Sequence, residues 1–346
     1  MENMSPQVST KFDTIPREIP AGKADPEYPG KIMETRCFSR KKRFTDRKKH
    51  DIIKSNAAIP SQTGPAGGGC FRKEVGSMKK LMLGNEAVAR GLYEAGCSLI
   101  SSYPGTPSTE ITEQAARYDE IYCEWAPNEK VAMEVAFGAA LAGKRSACVM
   151  KHVGVNVAAD PLFTIAYTGI NAGMVICVAD DPGMHSSQNE QDSRHYAVSA
   201  KIPMLEPADS EEARLFAKRA FQLSEEYDTP VFLKLCTRIS HSQSLVEEGQ
   251  REDLPPRPYV KDIAKYVMVP GNARPRHPIV EERTRRLTAY AETTDLNREE
   301  LGEDTSLGII TSSTCYQYAR EVFGEKASIL KLGLVNPDEI LLKPSE

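Results

Sequence analysis

No run of apolar residues in this chain approaches the roughly 18 needed to cross a bilayer, and the first 30 residues are polar and proline-rich. Neither a membrane span nor a secretory signal is expected, and the expected location is the cytoplasm. The eight cysteines stand apart, without a C-x-x-C pair or a zinc spacing, which argues against a disulfide scaffold and against a structural metal. Cys148, Cys177 and Cys236 lie in apolar runs and read as core thiols. G-x-G-x-x-G and Walker sequences are missing, so the usual phosphate cradles of dinucleotide and P-loop sites are excluded; so is the G-x-S-x-G elbow. His152, His185 and His195 have no i, i+4 partner, which disfavours a metal; His185 and Arg194 remain candidates to lie near a ligand. The net charge of −4 is too small to imply a charged partner.

What is present divides unevenly. At 346 residues and 40% apolar content the chain has room for two domains. Residues 1–77 carry 15 Lys+Arg against 9 Asp+Glu, whereas the remainder carries 29 against 39. The first segment lacks sustained periodicity and holds the basic run RKKRFTDRKKH (40–50) and the flexible stretch SQTGPAGGGC (61–70). Without interleaved structure the basic run is not expected to bind nucleic acid. Residues 1–77 are expected to be a disordered or non-native leader, with Met78 as the start: Lys73-Glu74-Val75 back-translates to a purine-rich string of the ribosome-binding type.

Beyond Met78 strands and helices alternate. EAVARGLYEAG (86–96) is a helix ending at Gly96, LISSY (99–103) a short strand, STEITEQAARY a helix, and EIYCEWA a strand. RSACVMKH, AGMVICVAD and TPVFLKLC are β-rich runs, and SEEARLFAKRAFQLSEEY (210–227) is an amphipathic helix. This order indicates an α/β fold built on a doubly wound, mostly parallel sheet over residues 78–240. Residues 241–305, rich in Pro, Arg and Glu, read as a linker, and 306–346 begin a second, partial β-α-β domain.

In such sheets ligands bind outside the carboxyl ends of the strands. Three loops are placed there. In YPGTPST (103–109), Thr106 has the look of a helix N-cap with Pro107 at the first helical position, and the same geometry suits an anion. In NEKVAMEVAFGAALAG (128–143), Asn128 is a good N-cap and Glu129 suits the positive end of the helix dipole. ADDPGMHSSQNEQDSRH (179–195) is long, polar and directly follows a strand, a common setting for function.

YPGTPSTEI, EWAPNEKVAMEVAFGAALAGKRS and ADDPGMHSSQNEQDSR, in this order, resemble the pyrimidine domain of the 2-oxoacid:ferredoxin oxidoreductases, which are thiamine-diphosphate enzymes. The likeness is nearest to the alpha subunits that act on indolepyruvate, and LGIITSSTCYQYAREVFG looks like the start of their transketolase-C-terminal-like domain. The resemblance implies that Glu129 hydrogen-bonds the aminopyrimidine ring of thiamine diphosphate, with Asn128 and Tyr103 beside the cofactor. A carboxyl there favours the imino tautomer, whose nitrogen takes the thiazolium proton. It further implies that Thr106 meets the carboxylate end of the substrate and that Ser186, Ser187 and Gln188 lie on the substrate side. The small residues Ala132, Val135, Ala136, Ala139 and Ala140 would let their helix approach a partner across a subunit interface.

The implied reaction is oxidative decarboxylation of an aryl 2-oxoacid such as indolepyruvate to an aryl-acetyl-CoA. Coenzyme A takes the acyl group and [4Fe–4S] clusters pass electrons to ferredoxin. The implied partners are a beta subunit, ferredoxin and a second alpha–beta unit. The family's G-D-G…N motif for Mg2+ and diphosphate and its ferredoxin-like cysteine cluster have no counterpart in these residues. LVNPDEILLKPSE departs from the expected continuation, so the chain is expected to be truncated or frame-shifted, to hold thiamine diphosphate weakly and to be inactive alone. Competing expectations are another thiamine-diphosphate 2-oxoacid oxidoreductase or decarboxylase, and a non-catalytic assembly fragment.

Overall fold

The computed structural model of the protein describes residues 79–303 and 306–337; the leader expected over 1–77 and the tail beyond 337 lie outside them. In chain order the elements are β1 (Lys79–Leu83), α1 (Gly84–Glu94), β2 (Leu99–Ser102), α2 (Thr109–Ala115), β3 (Tyr122–Trp125), α3 (Glu129–Leu141), β4 (Ser146–Lys151), α4 (His152–Val157), α5 (Ala159–Thr168) and β5 (Met174–Asp180). There follow α6 (Arg194–Ala200), β6 (Met204–Leu205), α7 (Ser210–Tyr227), β7 (Val231–Cys236), α8 (Thr237–His241), β8 (Gln243–Glu247), α9 (Ile263–Tyr266) and α10 (Pro270–Ala291). The described chain closes with β9 (Arg298–Glu300), β10 (Gly308–Ser312), α11 (Ser313–Phe323), β11 (Ser328–Leu332) and β12 (Leu334–Asn336).

Seven strands form one sheet in the order β12-β6-β7-β5-β4-β2-β3, parallel throughout except for β12 against β6. β4 and β5 are buried on both faces. Val149, Val175 and Cys177 join the layer of α1 and α7, while Met150, Ile176 and Val178 join that of α3 and α5. Covering both faces is what makes these strands read as unbroken apolar runs rather than alternating ones. Burial pushes the Cys97 thiol up to about 12 and raises those of Cys148 and Cys177 as well. β2 feeds β3 on one side and β4 feeds β5 on the other, so the winding reverses between β2 and β4. That reversal opens a crevice at their carboxyl ends. Among the described residues no helix is long and apolar enough to cross a membrane.

The segment 241–305, expected to be a linker, holds regular structure. β8 pairs antiparallel with β1, and β9 pairs with β11 beside the parallel β10–β11 pair. The 22-residue α10 buries Arg276, Val280, Arg283, Leu287 and Ala291 along one side. Arg276 donates to the carbonyls of Tyr167 and Thr168, and Arg283 to those of Ala166 and Asp228. Pro275 and Pro278 inside the helix, and a buried stripe that is partly arginine, hid it from an apolar-periodicity argument. β12 adds to the main sheet through Leu334 and Asn336, so the chain after 306 serves both the small β-α-β unit and the large sheet.

Candidate active site at the carboxyl ends of β2, β4 and β5

Asn128 is extended, and its side chain accepts a 3.0 Å hydrogen bond from the Val131 N–H, an N-cap that starts α3 at Glu129. Only one side of α3 is buried, through Glu129, Ala132, Met133, Ala136 and Ala140; Glu134, Gly138 and Ala142 are exposed. Glu129 is 8% exposed and lies against the α4 backbone, where a Cβ built on Gly154 would stand 2.7 Å from its Cγ and Oε1. Among the described residues its carboxyl accepts no hydrogen bond and joins no ion pair. A buried carboxylate is normally paired. The helix dipole supplies about 0.3–1 kcal/mol in favour of an acid at this position.

The loop after β2 closes differently from its sequence. Thr106 does not cap α2; that helix begins at Thr109, after Ser108 has folded back on Gly105 through its N–H and its hydroxyl, each at 2.8 Å. The Thr109 hydroxyl accepts from the Gly105 N–H at 2.8 Å, and Thr106 and Tyr103 are left exposed at the rim. The loop after β5 is organised by two buried acids. Asp181 accepts from the Ser187 hydroxyl at 2.7 Å, the Ser186 N–H at 2.8 Å and the Thr237 hydroxyl at 2.9 Å. Burial works against its charge, but these donors outweigh it and hold the Asp181 carboxyl well below the usual carboxylate range. Asp180 binds the Ser193 N–H and hydroxyl at 3.0 and 2.5 Å and so closes the far end of the loop.

The two loops meet where the Ser186 hydroxyl donates to the Thr106 carbonyl at 3.3 Å. Thr106, Ser186 and Ser187 are therefore brought together, while Gln188 is exposed with no side-chain partner among the described residues. What joins them to Glu129 is the direct junction of β4 with α4 at Lys151 and His152, which no sequence motif marks. Lys151 Nζ donates to the Ser186 carbonyl at 3.1 Å, and its stem runs so close to Gly105 that an added Cβ would stand 2.9 Å from its Cδ. His152 Nε2 lies 3.0 Å from the Asn189 carbonyl, so that nitrogen carries a proton and donates; its buried Nδ1 has no partner. Gly154 then meets Glu129. The available signal was position: this junction too lies at the carboxyl end of a central strand of the sheet.

His185 and His195 are exposed and stay outside this junction. Arg194 instead lines a neighbouring 610 Å³ cleft with Lys234, Glu206, Cys236 and Ser312. Lys234 lies 3.2 Å from Glu206 and 3.5 Å from Asp180; burial disfavours its charge, but these acids outweigh that and raise its pKa.

Residues 90–302 match the family described as pyruvate flavodoxin/ferredoxin oxidoreductase, thiamine-diphosphate-binding. The chain is 45% identical over 267 residues to the indolepyruvate oxidoreductase subunit IorA of Methanothermobacter thermautotrophicus, covering 75% of this chain and 43% of that protein. It is 43% identical over 271 residues to the protein of the same name from Archaeoglobus fulgidus, with the same shares covered. The chain thus spans less than half the length of these relatives. Among solved structures, a 2-oxoglutarate:ferredoxin oxidoreductase from Magnetococcus marinus superposes with a TM-score of 0.64 at 17% identity, covering 76% of this chain and 55% of that one. This last likeness concerns the fold.

Proposed function

This chain belongs to the pyruvate flavodoxin/ferredoxin oxidoreductase family through its thiamine-diphosphate-binding domain, and on that premise we propose that it is the pyrimidine-binding part of an indolepyruvate-type 2-oxoacid oxidoreductase. The reaction is oxidative decarboxylation of an aryl 2-oxoacid to its CoA thioester, with ferredoxin as acceptor. The observation that carries this reading is Glu129, a residue only 8% exposed whose carboxyl has no partner among the described residues, lying against Gly154 beyond the carboxyl ends of the sheet strands. The residues fit an aminopyrimidine in their chemistry: Gly154 lets the Glu129 side chain lie against the α4 backbone, and its carboxyl, without a partner among the described residues, is free to bind the ring. Bound thiamine diphosphate supplies the carbon nucleophile and the electron sink for decarboxylation. Glu129 holds the aminopyrimidine by a hydrogen bond at its carboxyl.

Asn128 sets the start of α3 and so the position of Glu129, and Tyr103 stands at the rim of the same crevice. Thr106 faces the substrate's carboxylate end. The Ser186–Gln188 loop, anchored on Asp181, forms the substrate-side wall. By family analogy Mg2+ and the iron–sulphur clusters are assigned to other parts of an assembly that includes a beta subunit and a second alpha–beta unit. Glu129→Gln in the assembled enzyme is expected to lower turnover of indolepyruvate and phenylpyruvate by about 100-fold or more, the scale of a lost acid–base group, with unchanged circular dichroism. Wild-type rates in that variant would overturn the assignment; a preference for pyruvate or a branched-chain 2-oxoacid in product analysis would move the substrate.

A further inference from the structure

Lys151 stands out because its charge has no counterpart. It is the last residue of β4, 9% exposed, and its ammonium reaches a single acceptor, the Ser186 carbonyl at 3.1 Å. Among the described residues it pairs with no carboxylate. Asp181, the acid that organises the same loop, is occupied by Ser186, Ser187 and Thr237 and forms no ion pair with it. The other buried lysines are matched: Lys234 with Glu206 and Asp180, Lys331 with Glu212. An ammonium has three N–H groups to satisfy, and removing one from water without an anion is costly.

Its surroundings point to what completes it. The stem lies against Gly105 in the Thr106 loop, the Nζ is tied to Ser186, and Ser186 in turn holds the Thr106 carbonyl. Three residues further on, Gly154 abuts Glu129. A monoanionic ligand entering between these loops would find a preformed cation with a single protein acceptor. We propose that Lys151 is the anchor for the carboxylate of the 2-oxoacid substrate, its ammonium completing a pair that this chain leaves half made. This rests on the function proposed above and adds the residue that makes the site select an acid over its aldehyde.

The test compares ligands with and without a carboxylate on the assembled enzyme. In Lys151→Gln the KM for the aryl 2-oxoacid and the inhibition constant of the matching arylacetate should rise about 30-fold or more, the loss expected when one partner of a buried charge pair is truncated. The inhibition constant of the corresponding arylacetaldehyde should stay unchanged, and Lys151→Arg should restore part of the acid's affinity. Equal weakening of acid and aldehyde, or of neither, would overturn the inference, as would an Arg variant no better than Gln at equal thermal stability. Wild-type enzyme that turns over aryl 2-oxoacids without this selective loss in Lys151→Gln removes only the inference; wild-type enzyme that neither binds nor oxidises 2-oxoacids removes the function as well.

Discussion

At the scale of single residues, Glu129 combines two properties that oppose each other in a finished core. Most of its side chain is buried, and its carboxyl has no partner among the described residues. Evolution tolerates such a cost where a ligand removes it. Gly154 is the other half of this arrangement. Its backbone conformation does not demand glycine; space does, because a methyl there would stand 2.7 Å from Glu129 Cγ and Oε1. Gly154→Ala is therefore expected to displace the carboxyl and to lower turnover about tenfold or more. Stability should change little, because alanine's better helix propensity, worth up to about 1 kcal/mol, offsets part of the clash. Steady-state kinetics beside urea unfolding separates the two effects; full activity would mean that the glycine serves only α4 packing.

At the scale of elements, the loop between β5 and α6 is shaped by charge rather than by apolar contacts. Its walls are drawn together by Asp181, which takes donors from Ser186, Ser187 and Thr237 and so links the loop to α8. Because these bonds depress the pKa of Asp181 in the folded state, their contribution is present above the unfolded carboxylate value of about 4 and is lost as pH falls through the acid range. Asp181→Asn keeps the shape but turns one acceptor into a donor facing an N–H. It should cost about 2 kcal/mol at pH 7. Urea unfolding from pH 7 to pH 3 should show the gap to wild type narrowing below about pH 4; a constant gap would place the effect in packing instead. α10 teaches the opposite lesson: its prolines argue against a helix, and arginine contacts to Ala166, Tyr167 and Thr168 carbonyls hold it nonetheless.

At the scale of the whole described chain, the small β-α-β unit is fastened to the large sheet by a buried ion pair. Lys331 on β11, fully buried, lies 2.5 Å from Glu212 on α7, and Arg298 on β9 lies 3.0 Å from the same carboxylate. Burial pulls the Lys331 pKa down, even against the neighbouring Glu212 charge. Truncating Lys331 leaves the buried Glu212 with the half-exposed Arg298 as its remaining cationic partner. Lys331→Ala is expected to destabilise by about 3 kcal/mol, whereas Lys331→Met combined with Glu212→Leu recovers most of that loss. Denaturant midpoints at constant m-value decide it; a double variant as weak as the single one would show that specific geometry, not charge balance, matters.

Local order alone was enough to place β2, β4, β5, β7 and α7, because strands covered on both faces are mostly apolar and bounded by turn residues, and an amphipathic helix must repeat every three to four residues. It was likewise enough to point to the loops that hold Thr106, Glu129 and Ser186–Gln188, since each follows a strand; the roles of the individual residues came from the family resemblance. Tertiary structure decided what no local pattern encodes. That Thr106 is a rim residue rather than a cap follows from Ser108 folding back on Gly105. That 241–305 carries a helix follows from distant carbonyls that accept arginine N–H groups. And that Lys151 belongs with Thr106, Ser186 and Glu129 follows from strands far apart in sequence ending side by side, a juxtaposition set by sheet order and invisible to residue spacing.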